Sequence, residues 1–251
     1  MHTNSLKKKI VVITGGNKGI GKSTLEDFAK SGANIFTCVR TISKDFKKLV
    51  KDVQKKYKVK IHIIHMDLAK SSSIKNCFEK IKKMTKKVDI LVNNSGMLFN
   101  SLFLMTSEKK LKEIFEVNFF SQMLFTQLIS KIMIKNKSGS IIFVSSTSGI
   151  KGDYGRFAYS STKAAIINAS KTLSKEFASY NIRVNSISPG LTPTDLMKSN
   201  TKDDVIKSEI EKISLKRTSN TKEISSVILF LASDMSSYIT GQNIIVDGGY
   251  L

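Results

Sequence analysis

The chain has 251 residues, 41% of them apolar, which is enough for one α/β unit with a large buried core and little more. Its formal charge is +21, from 41 basic and 20 acidic residues. Only Arg40, Arg156, Arg183 and Arg217 are arginines, and the lysines are scattered without interleaved aromatics, which reads as a solvated surface and argues against specific nucleic-acid recognition.

From the N-terminus, the polar and basic stretch Met1–Lys9 leads into the apolar run Ile10–Ile13, too short for a secretory core or a membrane span. A cytoplasmic protein that does not engage a membrane is expected. The runs Ile10–Thr14, Asn34–Val39, Ile61–Met66, Ile90–Asn93, Ser140–Ser145, Arg183–Ser188 and Asn243–Val246 are short and β-branched, as strands buried on both faces should be. Helical patterns lie between them near 22–31, 44–57, 72–85, 107–135, 157–179 and 221–233. This alternation predicts a seven-stranded, doubly wound parallel sheet with helices on both faces, in one domain spanning 1–251. Pro189 and Pro193 mark a loop after the sixth strand. The charged segment after it, about 194–216, with Lys198, Lys202, Asp203, Asp204 and Lys207, reads as a lid.

Three motifs along this frame carry chemistry. The first strand runs into Thr14-Gly15-Gly16-Asn17-Lys18-Gly19-Ile20-Gly21, ahead of a helix. Glycines there permit a tight turn and let the backbone approach a pyrophosphate, while the helix N-terminus offers free N–H groups and a positive dipole end. At the end of the second strand stands Arg40, where an acidic residue would accept the ribose 2′-hydroxyl of NAD. Arg40 and Lys18 suit a 2′-phosphate instead, so NADP(H) is expected over NAD(H). Finally, Tyr159-Ser160-Ser161-Thr162-Lys163 puts Tyr159 and Lys163 on one helical face. A phenol is a poor acid–base group at neutral pH, and a cation one turn away should lower its pKa.

The glycine spacing G-x-x-x-G-x-G, followed in order by Asn118, Ser146 and Tyr159-x-x-x-Lys163, resembles the soluble single-domain branch of the short-chain dehydrogenase/reductase family, from Lys9 to Leu251. The resemblance implies a single-domain Rossmann fold and interconversion of a ketone and a secondary alcohol by hydride transfer. It implies that Ser146, thirteen positions before Tyr159, hydrogen-bonds the substrate oxygen, that Tyr159 is the general acid/base, and that Lys163 holds the nicotinamide ribose. Asn118 would hold a water that carries the relay from Lys163 to solvent. Among Phe115, Val117, Phe119 and Phe120, that amide needs a partner in any case, so a satisfied core amide is the alternative.

By the same resemblance the cofactor is held by Gly15, Asn17, Lys18, Gly19, Ile20, Gly21 and Arg40, by Asp67 and Leu68 at the adenine, by Asn94, Ser95 and Gly96, by Tyr159 and Lys163, and by Pro189, Gly190, Thr192 and Thr194. The substrate pocket is expected to use Met97, Phe99, Ser146, Thr147, Ser148, Ile150, Tyr154, Tyr159, Leu191 and the lid. Members are usually tetramers, so a homotetramer or dimer is implied, with Asp247-Gly248-Gly249 near an interface.

Within the family, Ile182–Gly190 and the ending from Ile239 to Gly249 resemble 3-oxoacyl-acyl-carrier-protein reductases. The arginines by which those enzymes dock their carrier are replaced by Lys135-Asn136-Lys137-Ser138 and Ala178-Ser179-Tyr180-Asn181, with Lys137 keeping one charge. The substrate is therefore a small carbonyl compound that is anionic, carrier-linked, or a sugar or nucleotide sugar. A non-catalytic NADP-binding regulator or interaction protein is the reading from another class, and an intact Asn-Ser-Tyr-Lys set argues against it. Arg156 either meets an anionic substrate or is a surface residue.

No metal site is expected. His62 and His65, three apart in one strand, point to opposite faces. Cys38 and Cys77 form no CxxC and read as unpartnered buried thiols of a reducing compartment. The nine methionines read as core filler.

Overall fold

The computed structural model describes residues 6–198 and 203–251. Lys202, placed above in the lid, lies outside the described residues. The seven apolar runs form strands β1 (Ile10–Thr14), β2 (Asn34–Val39), β3 (Ile61–His65), β4 (Ile90–Asn93), β5 (Gly139–Val144), β6 (Ile182–Pro189) and β7 (Asn243–Val246). All pair in parallel, in the order β3-β2-β1-β4-β5-β6-β7. The order reverses between β1 and β4. The carboxyl ends of strands on either side of such a switch point diverge and leave a crevice.

Helices α1 (Gly19–Lys30), α2 (Lys44–Tyr57) and α3 (Ser71–Met84) connect the first four strands. The rest of the chain adds α4 (Glu108–Phe115), α5 (Ser121–Asn136), α6 (Ser148–Lys151), α7 (Phe157–Phe177), α8 (Asp195–Lys198), α9 (Asp203–Lys212) and α10 (Thr221–Ala232). Strand residues alternate between two cores. Val11 and Ile13 pack with Leu25 and Phe28 of α1, Val50 of α2 and Ile228 of α10; Val12 and Phe36 pack with Ile74 of α3, Phe125 of α5 and Ile166 of α7. Among the described residues no helix is long and apolar enough to cross a membrane.

Three expectations need correction. Helix α1 begins at Gly19, three residues before its apolar periodicity starts, because the glycines carry no side chain to show the pattern. The single helix expected over 107–135 is broken by a π-helical turn at Glu116–Phe120, which separates α4 from α5. Such turns insert one extra residue and often sit at functional sites. Cys38 and Cys77 are free and fully buried, yet they are not without partners: Cys77 Sγ donates to Cys38 Sγ at 3.4 Å, and this contact with burial pushes the Cys38 thiol well up. His62 stacks on Phe36 with ring centroids 5.0 Å apart, and His65 is exposed.

Helix α2 ends on Lys58, whose φ of 55° and ψ of 42° put it in the left-handed region that glycine usually fills at a helix end. A lysine pays a Cβ clash there. The Lys58→Gly variant is expected to gain about 0.5–1 kcal/mol, or roughly 1–4 °C in Tm. Thermal melts of the two proteins at equal concentration check this.

Candidate active site

The crevice at the carboxyl end of the sheet is a cleft of about 1390 Å³, running from Arg40 and Asp67 at one end to Tyr154, Glu209 and Tyr250 at the other. Its floor at the β1–α1 junction is built by glycines. Gly15 takes a φ of +72°, and its N–H donates to Cys38 O at 2.8 Å, so the loop is pinned to β2. A Cβ on Gly16 would run into Thr37 Oγ1 at 2.3 Å. No side chain caps α1, and its first turn holds no acid, so its N-terminal N–H groups are left for a ligand in the cleft. Gly15, Asn17, Lys18, Gly19 and Ile20 line the cleft beside that terminus. Gly21 does not. It is buried, and a Cβ there would lie 2.1 Å from Gly15 O, so its need is close helix packing rather than ligand contact.

Asn94 braces the same loop. Its Nδ2 donates to Thr14 O at 3.0 Å, and the N–H groups of Asn94 and Ser95 both donate to Thr14 Oγ1, at 2.9 and 3.0 Å. Ser95, Gly96, Asp67, Leu68, Pro189, Gly190, Leu191, Thr192 and Thr194 also line the cleft. Arg40 and Lys18 stand at the Asp67 end, joined by Thr41, Ser43 and Met66, which no motif had marked. Lys18 pairs with Asp195 at 3.5 Å, but both side chains are more than 70% exposed, and such a pair is weak. An anionic dinucleotide therefore fits this half of the cleft: donors at a bare helix end, and two cations beside them.

At the centre lie Ser146, Tyr159 and Lys163. Two contacts hold the Ser146 loop against α7. Ser145 Oγ donates to Lys163 O at 2.8 Å, and Gly149 lies so close to α7 that a Cβ would meet the Lys163 carbonyl carbon at 2.6 Å. Ser146 thereby hydrogen-bonds the Tyr159 phenol, and its Oγ also accepts from Ser148 N at 3.2 Å. Lys163 is 4% exposed; its Nζ donates to Val144 O at 2.8 Å and lies 5.6 Å from the Tyr159 ring centroid.

The electrostatics differ from expectation. Burial raises the Tyr159 phenol above its ordinary value, against the Ser146 hydrogen bond and the Arg156 charge that pull it down; Asp153 adds to the rise. Burial also lowers Lys163 to about 8. Desolvation pushes both groups toward their neutral forms, and this outweighs the lowering of the phenol that a neighbouring cation was expected to give.

Asn118 lies in the π-helical turn and is fully buried. Its Oδ1 accepts from Met97 N at 2.8 Å, and its Nδ2 donates to Met97 O at 2.8 Å and to Thr162 Oγ1 at 3.3 Å. The amide thus clamps the backbone behind Gly96 and does not itself line the cleft. Of the expected pocket residues, Met97, Thr147, Ser148, Tyr154 and Leu191 line it. Phe99 and Ile150 do not: Phe99 lies under Lys110 Nζ at 5.2 Å, and Ile150 faces solvent. Arg156 lines the cleft and pairs with Asp153 at 3.5 Å.

The chain is similar to known proteins over nearly its whole length. Residues 15–251 match the family model described as enoyl-(acyl carrier protein) reductase. The chain belongs to the short-chain dehydrogenase/reductase family. It is accordingly an NAD(P)-dependent oxidoreductase acting on CH–OH groups. Among curated relatives it is 36% identical to the 3-oxoacyl-[acyl-carrier-protein] reductase FabG of Aquifex aeolicus over 97% of this chain and 98% of that one. It is 37% identical to the protein of the same name from Thermotoga maritima, with the same coverage. Among solved structures, a short-chain type dehydrogenase/reductase from Mycobacterium marinum superposes with a TM-score of 0.90 at 28% identity, covering 98% of this chain and 96% of that one. A Beutenbergia cavernae protein designated an NAD(P)-dependent gluconate 5-dehydrogenase, with bound NADP, gives 0.92 at 26% identity, covering 99% of each.

Proposed function

We propose that this short-chain dehydrogenase/reductase is an NADPH-dependent reductase of 3-oxoacyl thioesters, carried on an acyl carrier protein. The observation that carries the reaction is the meeting of Ser146, Tyr159 and Lys163 midway along one continuous cleft. The substrate class rests on the curated relatives.

The dinucleotide, when bound, supplies a hydride to the carbonyl carbon. Its phosphates fit the α1 N-terminus, and Arg40 with Lys18 favour a 2′-phosphate over a bare hydroxyl. Ser146 Oγ and the Tyr159 hydroxyl, already bonded to each other, donate to the carbonyl oxygen of the substrate. Tyr159 then passes its proton to that oxygen as the alkoxide forms. The raised phenol is protonated at neutral pH, which is the state a reductase needs. Lys163, beside it, would hold the ribose and is poised to resupply the proton. Asn118 fixes the Met97 backbone, and so the Gly96 segment beside Lys163. Excluding water around these groups strengthens each interaction.

The partners are a carrier-linked substrate and further copies of this chain, in a cytoplasmic homotetramer or dimer. Phe103, Leu104 and Met105 are largely exposed, and Phe103 packs edge-on against Phe157 at 4.9 Å. With exposed Phe120 and Ile245 these supply the apolar surface that self-association buries.

A carbonyl panel followed by NADPH absorbance tests the reading. Acetoacetyl thioester is expected to be reduced with kcat/KM at least about 10-fold above gluconate-type keto sugars, and with NADPH preferred over NADH by about 10-fold or more, the worth of one charge-assisted bond. Preferred turnover of keto sugars would move the assignment to the activity named for the Beutenbergia neighbour.

A further inference from the structure

The far wall of the cleft is held by a relay of polar side chains. Lys151, the last residue of α6, donates from Nζ to the Tyr250 hydroxyl at 2.8 Å, and the same ammonium lies 4.0 Å from the Tyr250 ring centroid. The Tyr250 hydroxyl donates in turn to Glu209 Oε2 on α9, and Glu209 also accepts from Lys212 Nζ at 2.6 Å. On the other side, Lys151 pairs with Asp153 at 3.0 Å, and Asp153 accepts from Ser148 Oγ. Ser148 N donates to Ser146 Oγ at 3.2 Å. The relay therefore runs from the serine beside Tyr159 to α9, whose Glu209 and Lys212 also line the cleft. Lys151, Asp153 and Tyr250 line it as well.

The backbone presents Tyr250 for this task. Ser214 N and Leu215 N donate to Gly249 O and Gly248 O, at 3.2 and 3.1 Å. Gly248 and Gly249 have φ of +70° and +79°, and a Cβ on either would meet Ile213 or Ser214 within 3.0 Å. The segment after β7 is thus stitched to the end of α9, and its next side chain turns back to Lys151. The chemistry of the central group is specific. It must accept from an ammonium and donate to a carboxylate at once, with an aromatic face for the same ammonium. Tyrosine does all three, and phenylalanine keeps only the last.

We propose that Tyr250 is a positioning residue for the reduction: its hydroxyl latches α9 to the 146–153 loop and so fixes the substrate end of the cleft. This rests on reading the cleft as a carbonyl-reductase site. The dinucleotide end, at Arg40, lies at the opposite end of the cleft. The latch therefore acts on the carbonyl substrate and leaves cofactor binding alone.

The test compares the full chain with its Tyr250→Phe, Glu209→Gln and double variants. Acetoacetyl thioester serves as substrate, NADPH is titrated by its fluorescence, and trypsin probes the lysines of α9. Tyr250→Phe is expected to raise KM on the order of 10-fold, the weight of one charge-assisted hydrogen bond, with kcat changed less and NADPH Kd unchanged. Cleavage at Lys207 and Lys212 should accelerate to match. Glu209→Gln should shift the same readouts the same way, and the double variant should be no worse than Tyr250→Phe alone, because both remove one connection. Parental KM and parental cleavage in Tyr250→Phe overturn the latch, as does a parallel loss of NADPH affinity or full multiplicativity in the double variant. If the parent protein reduces no acetoacetyl thioester, the proposed activity fails, and the trypsin rates still decide the latch.

Discussion

Tyr159→Phe is expected to lower kcat for carbonyl reduction by about 10²–10⁴-fold, the usual worth of a positioned general acid, with NADPH affinity kept within about twofold. The substitution deletes one oxygen. It leaves Ser146 bonded to Ser148 N and leaves Lys163 on Val144 O, so the walls of the cleft survive. It gives up the Ser146 hydrogen bond but relieves the burial of a polar hydroxyl, so the change in folding stability should stay within about 1 kcal/mol. Direction follows from the sign of the phenol's shift. Burial holds Tyr159 above its ordinary value, and the proton needed for reduction is present at neutral pH. Reduction is therefore expected to hold its rate through neutrality and fall as pH rises toward the phenol's titration. Alcohol oxidation, which needs the phenolate, should rise over the same range. The residual activity of Tyr159→Phe should lack that alkaline limb. A variant that binds NADPH and turns over at the parental rate would remove Tyr159 from the proton path.

The motifs that meet in the cleft share a physical character. A glycine turn between a strand and a helix, a basic residue at a strand end and a Tyr-x-x-x-Lys spacing are local patterns, and local geometry largely decides where they point. Hence Gly15, Arg40, Tyr159 and Lys163 all face one cleft. What was missed depends on contacts between distant segments. The helical pattern read over 107–135 spans the π-helical turn at Glu116–Phe120 without marking its extra residue. Gly149 looks like loop composition until α7 is packed 2.6 Å from where its Cβ would stand. Tyr250 and Glu209 are 41 residues apart, and nothing in either neighbourhood announces the other. Burial itself is tertiary, which is why the pKa of the Tyr159 phenol was expected to fall and instead rises. A signal for the Asn118 clamp did exist. A lone amide among four aromatic and aliphatic neighbours had to be satisfied, and the Met97 backbone and Thr162 Oγ1 supply its partners.

Lys163→Met separates stability from activity with opposite signs. In the cofactor-free protein Lys163 is 4% exposed and lowered to about 8 by burial, against an ordinary value near 10.5. Below pH 8 the ammonium is charged in both folded and unfolded chains, and the fold bears the full cost of burying it. A shift of this size corresponds to about 3 kcal/mol. Between about pH 8 and 10.5 the unfolded chain still holds a proton that the folded chain has released. There the unfolded state binds more protons, so this group's contribution raises stability as pH rises. Methionine fills a similar volume without the charge, and it gives up the bond to Val144 O, at a cost of about 1–3 kcal/mol for the stranded carbonyl. The balance at pH 7 favours the variant by about 1 kcal/mol, or roughly 2–4 °C in Tm, and the advantage should vanish or reverse by about pH 10.5. Turnover, by contrast, should fall at least about 100-fold, since the variant can neither resupply the proton nor hold the ribose. Paired melts at pH 7 and 10.5, with NADPH oxidation rates on the same preparations, decide it. A variant that melts lower at pH 7 and gains nothing relative to the parent would show that the buried ammonium imposes no net cost. The trade of stability for activity expected of a working site would then be absent here.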